Sequence, residues 1–255
     1  MAKKLIVANW KMNPESGEKA VEIFKLIQKR VRNFERAEIV ICPPFLYLSL
    51  LISISLSGKF SSRFNFGAQN CFWEEKGAFT GEISAKMLKR AGARYVIIAH
   101  SERRKILGED DKIASWKIKA ALEESLTPIF CLGETAEEKK EGKIFQVLEN
   151  QIKNGCAGLP ENKIKKIVFA YEPLWAIGSG HVCSAEDALK AAVFIRQVVL
   201  KISPQLAVSS IRVLYGGSVN SQNAGNFLKI KEINGLLVGG ASLDAKEFSA
   251  IVAAV

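Results

Sequence analysis

The sequence predicts a closed (β/α)8 barrel, built as a single domain over residues 1–255. Three observations carry that expectation. Eight short apolar runs of strand character recur along the chain, helical patterns separate them, and no linker-like or low-complexity interval divides the alternation. A doubly wound sheet is the competing arrangement. It calls for a Gly-rich turn after the first strand, and Asn9-Trp10-Lys11-Met12-Asn13 stands there instead.

The elements follow in order. Leu5 to Ala8 is the first strand, and Ala20, Ile23, Ile27, Val31 and Phe34, at spacings of three and four, line one face of a helix. Glu38 to Cys42 and Asn65 to Ala68 are the next strands, the second leading into a long loop, Cys71 to Thr80. That loop carries Phe72, Trp73 and Phe79, too much apolar surface for a free loop. Tyr95 to Ala99 is the fourth strand, and Ser101-Glu102 just beyond it reads as a helix start. Pro128 to Leu132 is the fifth, followed by a helix carrying Lys139, Lys140 and Lys143. Ile167 to Tyr171 is the sixth, and because Pro173 lacks the N–H of a central strand, that strand ends at Glu172. Ser184 with Asp187 three residues on caps a helix toward Val199, whose apolar face is Ala188, Ala192, Ile195, Val199 and Ile202. Ile211 to Tyr215 and Gly235 to Val238 complete the set.

Composition narrows the function. With 48% hydrophobic residues the chain buries an ordinary core. The formal charge of +10 suits small anionic substrates as well as polyanions, but the lysines are scattered and no aromatic residues interleave them as a base-stacking groove requires. Their faces read as solvated, with a general attraction for anions and no nucleic-acid partner. Five cysteines without a C-x-x-C pair, and two histidines far apart, point to reduced thiols in a cytoplasmic protein and offer no metal-ligand spacing. Leu5 to Ala8 is shorter than the roughly 7 to 15 residues of a signal-peptide core. Phe45 to Leu56 is uncharged but falls short of the roughly 17 residues of a membrane span.

In such a barrel the chemistry sits just past the carboxyl ends of the strands. Asn9 and Lys11 follow the first strand, His100-Ser101-Glu102 the fourth, Glu172 the sixth, Gly216-Gly217-Ser218 the seventh and Gly239-Gly240 the eighth. Paired glycines after strands seven and eight admit backbone N–H groups close to a phosphate. Lys11 suits neutralisation of substrate charge. The helix start after His100 favours a neutral imidazole that donates a hydrogen bond. Cys131 has no basic neighbour in sequence and reads as packing. After Glu172 the stretch to Ser184 has a rigid beginning (Pro173, Leu174, Trp175) and a pivotable middle (Gly178, Ser179, Gly180), the make-up of a lid.

Together these motifs resemble triosephosphate isomerase: Asn9-Trp10-Lys11-Met12-Asn13, Gly77-Ala78-Phe79-Thr80-Gly81-Glu82, His100-Ser101-Glu102-Arg103-Arg104, Ala170 through Gly178, Tyr215-Gly216-Gly217-Ser218-Val219 and Gly239-Gly240-Ala241-Ser242-Leu243. They run in the family's order from residue 9 to residue 243. The resemblance implies a cofactor-free homodimer that interconverts dihydroxyacetone phosphate and glyceraldehyde 3-phosphate. By resemblance Glu172 would be the base, His100 the neutral electrophile and Lys11 the cation beside substrate, roles that belong to the general account of this enzyme family and not to residue spacing. Asn9 would line the pocket, and Gly178, Ser218, Gly239 and Gly240 would bind phosphate. Ser101 and Glu102 would support the site, and Trp73, Phe79 and Thr80 would dock into a second subunit.

Four departures from the family pattern stand out: Ala99 for the usual Gly, His181-Val182-Cys183 for Lys-Thr-Ala, Asn234 for Asp, and the weakly charged segment Phe45 to Leu56. Two other classes of function compete. A different phosphate-binding barrel enzyme needs its own metal or carboxylate pair, which the strand ends lack, and a non-catalytic polyanion-binding role predicts binding that survives loss of Glu172.

Overall fold

A computed structural model describes residues 3–57, 64–176 and 183–255. Eight parallel strands close in chain order: β1 (Lys4–Asn9), β2 (Ala37–Cys42), β3 (Phe64–Ala68), β4 (Tyr95–Ile98), β5 (Thr127–Leu132), β6 (Val168–Tyr171), β7 (Arg212–Tyr215) and β8 (Gly235–Val238), with β8 pairing back onto β1. The helices between and after them are α1 (Gly17–Val31), α2 (Phe45–Ser57), α3 (Ala85–Arg90), α4 (Ser101–Leu107), α5 (Asp111–Glu123), α6 (Ala136–Lys140), α7 (Ile144–Gly155), α8 (Glu161–Ile164), α9 (Ala185–Ile202), α10 (Ala224–Leu228) and α11 (Ala245–Ala253). All eight expected strands are present, with ends within a residue or two.

Each strand is apolar without interruption because both of its faces are buried. On β1, Leu5 and Val7 point into the barrel with Val40, Ile97, Ile129 and Leu237, while Ile6 and Ala8 pack outward against the helices. The closure of β8 on β1 is tight. A Cβ on Gly235 would lie 1.8 Å from the Leu5 carbonyl oxygen, so only glycine fits. Ser184 accepts a bond from the Asp187 N–H and starts α9 as its sequence predicts.

One strand end needs correcting, and two further details are added by the structure. Ala99 is not the last residue of β4: it lies past the strand at φ 56°, in the left-handed region that costs a residue with a Cβ roughly 1–2 kcal/mol. That conformation turns the chain sharply enough for His100 to cap α4. The aromatic loop covers part of its own apolar surface, because Phe72 packs at a tilt against Trp73 and Phe79, and Trp73 against Trp116 of α5. Phe79 stays 43% exposed. Finally, Asn234 accepts from the buried Arg196 guanidinium (2.7 Å) and from the Val213 N–H (2.8 Å), so an amide oxygen, with no negative charge, answers a buried cation. The charge-free segment forms α2 and leaves Leu46, Leu50 and Leu56 exposed. Among the described residues no helix is long and apolar enough to cross a membrane.

Candidate active site

The site is assembled from strand ends. Asn9 ends β1, and its side-chain oxygen accepts the Lys11 N–H at 3.0 Å. Lys11 has φ 53°, and Gln69, directly after β3, donates to the Lys11 and Cys42 carbonyls at 2.8 and 2.9 Å. These bonds fix a backbone turn that points the Lys11 ammonium at Glu102 Oε1, 2.5 Å away. The same side chain passes beside Gly239, where a Cβ would meet Lys11 Cε at 3.3 Å. A cation therefore lies beside Gly239, as a phosphate ester would require.

His100 caps α4, its Nδ1 accepting the Glu102 N–H at 3.3 Å. An acceptor nitrogen carries no proton, so the ring's hydrogen sits on Nε2, which faces Glu172 Oε1 at 3.2 Å. Two influences on the ring charge oppose each other. Burial lowers the imidazole pKa, and the Glu172 carboxylate raises it, leaving the balance above the ordinary value. The Nδ1 bond weighs against the charged form: an imidazolium would set one N–H against another at the positive end of a helix.

Glu172 follows β6, its own N–H bonded to the Leu132 carbonyl at 2.7 Å. Its carboxylate is buried and accepts the Ser101 N–H at 3.0 Å as well as facing His100. Burial raises its pKa, but His100, the Ser101 N–H and the Cys131 thiol together hold it below the ordinary carboxylate value. Glycine at 216 makes room for it, since a Cβ there would lie 2.9 Å from Glu172 Cγ. The Cys131 thiol is driven well above its usual pKa by burial and by the Glu172 charge, which leaves it inert as a nucleophile.

The structure thus brings Asn9, Lys11, His100, Ser101, Glu102, Glu172 and Gly239 together. After β7 the Ser218 hydroxyl donates to the Ala176 carbonyl (2.6 Å), and Gly240 opens the short turn after β8. Gly178 and His181 lie outside the described residues. Trp73, Phe79 and Thr80 form a separate group on the loop after β3. Sequence reasoning missed Gln69 and the buried Glu134, which follow β3 and β5 closely and were within reach of the strand-end rule. Among the described residues, no group of three or more His, Cys, Asp or Glu could hold a metal ion. A cavity of about 460 Å³ opens at the opposite end of the barrel, near Val31, Phe34 and Glu38. Its Glu38 is already engaged by the Tyr95 hydroxyl (2.6 Å) and the Asn65 amide (2.9 Å).

A buried carboxylate facing an imidazole N–H, beside a cation and a glycine-lined backbone, is suited to proton transfer next to a carbonyl on a phosphorylated substrate. The family model described as triosephosphate isomerase matches residues 4–255. The chain belongs to the triosephosphate isomerase family. Its similarity to the triosephosphate isomerase of Dictyoglomus turgidum is 46% identity across 99% of both chains, and to that of Aquifex aeolicus 47% across 98% of both. The crystal structure of triosephosphate isomerase from Bartonella henselae superposes with a TM-score of 0.86 at 36% identity, covering 99% of this chain and 98% of that one. Membership in the triosephosphate isomerase family agrees with the barrel and with the order of the strand-end motifs.

Proposed function

We propose that this enzyme interconverts dihydroxyacetone phosphate and D-glyceraldehyde 3-phosphate through an enediolate, without a cofactor, as a cytoplasmic homodimer. The observation that carries the chemistry is the placement of His100 Nε2 opposite Glu172 with Nδ1 turned to the Glu102 N–H. The bound substrate's carbonyl takes the Nε2–H that Glu172 holds in the free enzyme, and the carboxylate so released removes the proton from the adjacent carbon. The electron pair of that C–H bond moves into a C–C double bond, and the carbonyl oxygen becomes the enediolate oxygen, stabilised by His100 Nε2–H and the Lys11 ammonium. The hydroxyl proton on the deprotonated carbon's oxygen passes to the enediolate oxygen by way of the His100 imidazole, while the former carbonyl carbon takes the proton back from Glu172, so that the first oxygen becomes the new carbonyl.

Asn9 and Glu102 hold Lys11 in place, and Ser101 anchors Glu172 through its N–H. Ser218, Gly239, Gly240 and Gly178 bind the phosphate through backbone N–H groups. Thr80, Trp73 and Phe79 belong to the surface that meets the second subunit, and the exposure of Phe79 supports that assignment.

A coupled isomerisation assay on the purified protein and on Glu172→Gln tests the proposal. The expected result is turnover in the parent and a kcat lower by about 100-fold or more in the variant. An inactive parent that binds polyanions equally well with and without Glu172 would establish the non-catalytic reading instead.

A further inference from the structure

We propose that Lys139 is a positioning residue for Glu172, acting through the face of the Trp175 indole. Sequence alone groups Lys139 with its neighbours Lys140 and Lys143 as part of a solvated face. The structure separates it from them. Its ammonium stands 3.1 Å from the centroid of the Trp175 ring, while Lys140 is exposed.

The indole is one of three handles by which a single buried residue holds the turn carrying Glu172. Glu134, 0% exposed, accepts the Trp175 Nε1–H at 2.6 Å and the Tyr171 hydroxyl at 3.1 Å, and its backbone carbonyl accepts the Leu174 N–H at 3.0 Å. The residues on both sides of Glu172 are thereby tied to one point. Thr135 then starts α6 with a reciprocal capping box to Glu138, a rigid first turn that brings Lys139 over the ring. Glu134 thus grips the edge of the indole and Lys139 covers its face, so the ring cannot tilt without leaving one of them. A cation on a half-buried indole is among the stronger contacts of its kind. Lys139 also lies within electrostatic reach of Glu134 and Cys183, where the described chain resumes.

The inference rests on the role given to Glu172 above, and the parent's own activity tests that role separately. Lys139→Met keeps the length of the side chain and removes its charge. The expected result is a kcat lower by roughly three- to tenfold with KM changed less than about twofold. Lys139→Arg, whose guanidinium also stacks on an indole, stays within about twofold of the parent. In a Trp175→Leu background, the Lys139→Met step costs nothing further. Circular dichroism reports folding, and Lys139→Gln serves in place of the methionine variant if that one aggregates. An unchanged kcat in Lys139→Met overturns the proposal, as does an equal loss in the Trp175→Leu background. A rise in KM shared with Lys140→Met would also overturn it, assigning both lysines to the general attraction of anions.

Discussion

His100 Nε2 and Glu172 Oε1 face each other at 3.2 Å, while the other ring nitrogen of His100 is occupied by the Glu102 N–H. The second contact decides the meaning of the first. With Nδ1 accepting, the pair is a neutral donor beside a carboxylate rather than an imidazolium–carboxylate ion pair. The Glu172 and Glu102 carboxylates pull the imidazole pKa above the ordinary value of about 6.5 and the helix end pushes against them; the expected outcome is that the helix end prevails and the ring stays singly protonated, on Nε2, between about pH 5 and 8. Nitrogen-15 NMR of the imidazole checks this. A doubly protonated ring at neutral pH would show that the Glu172 charge outweighs the helix end.

The depressed pKa of Glu172 makes a linkage prediction. A carboxylate with a folded pKa below its unfolded value contributes stability that is fully present above the unfolded value, about 4.3, and is lost as pH falls through the folded value. The stability difference between the parent and Glu172→Gln should accordingly be constant near neutral pH and shrink on the acid side of about 4.3. Urea unfolding of both proteins at stepped pH measures it, and a difference that grows toward acid would mean burial, which favours the protonated form, dominates.

Gly216 sets the space for the base. A methyl group there meets Glu172 Cγ at 2.9 Å and Leu237 Cβ at 3.4 Å, and the carboxylate is the more movable of the two. Gly216→Ala should fold and lose kcat by roughly tenfold or more, since small displacements of a reacting group are costly. Steady-state kinetics beside a thermal melt checks it, and an active Gly216→Ala enzyme would show that the base tolerates displacement.

The aromatic loop makes two different demands. Trp73 packs on Trp116 of its own chain, whereas Phe79 keeps much of its ring exposed. Phe79→Ser should weaken the proposed dimer by on the order of 2 kcal/mol while leaving the melt of the separated chain little changed. Trp73→Ser should lower chain stability as well. Sedimentation across a concentration series distinguishes them, and a dimer indifferent to Phe79→Ser would remove that residue from the interface.

Much of this molecule was legible in one dimension because the signals involved are local. Apolar runs interrupted by helical periods mark the eight strands, Pro173 stops the sixth just before the base, at Tyr171, and the residues after His100 start a helix whose first free N–H groups face the ring. Ser184 announces α9 by a bond to a residue three positions away. What only the tertiary structure decided are contacts between residues distant in sequence. Gln69 reaches back to Lys11, Glu134 joins Tyr171 to Trp175, and Lys139 lies over Trp175. The strand-end rule reaches Gln69 and Glu134 as positions but says nothing of their partners, and Lys139 on α6 reads by its neighbours as one more solvated lysine. The sequence determined that a carboxylate and an imidazole stand at strand ends. Closure of β8 onto β1 curls those ends into one ring, and only that curvature decided which side chains meet across it.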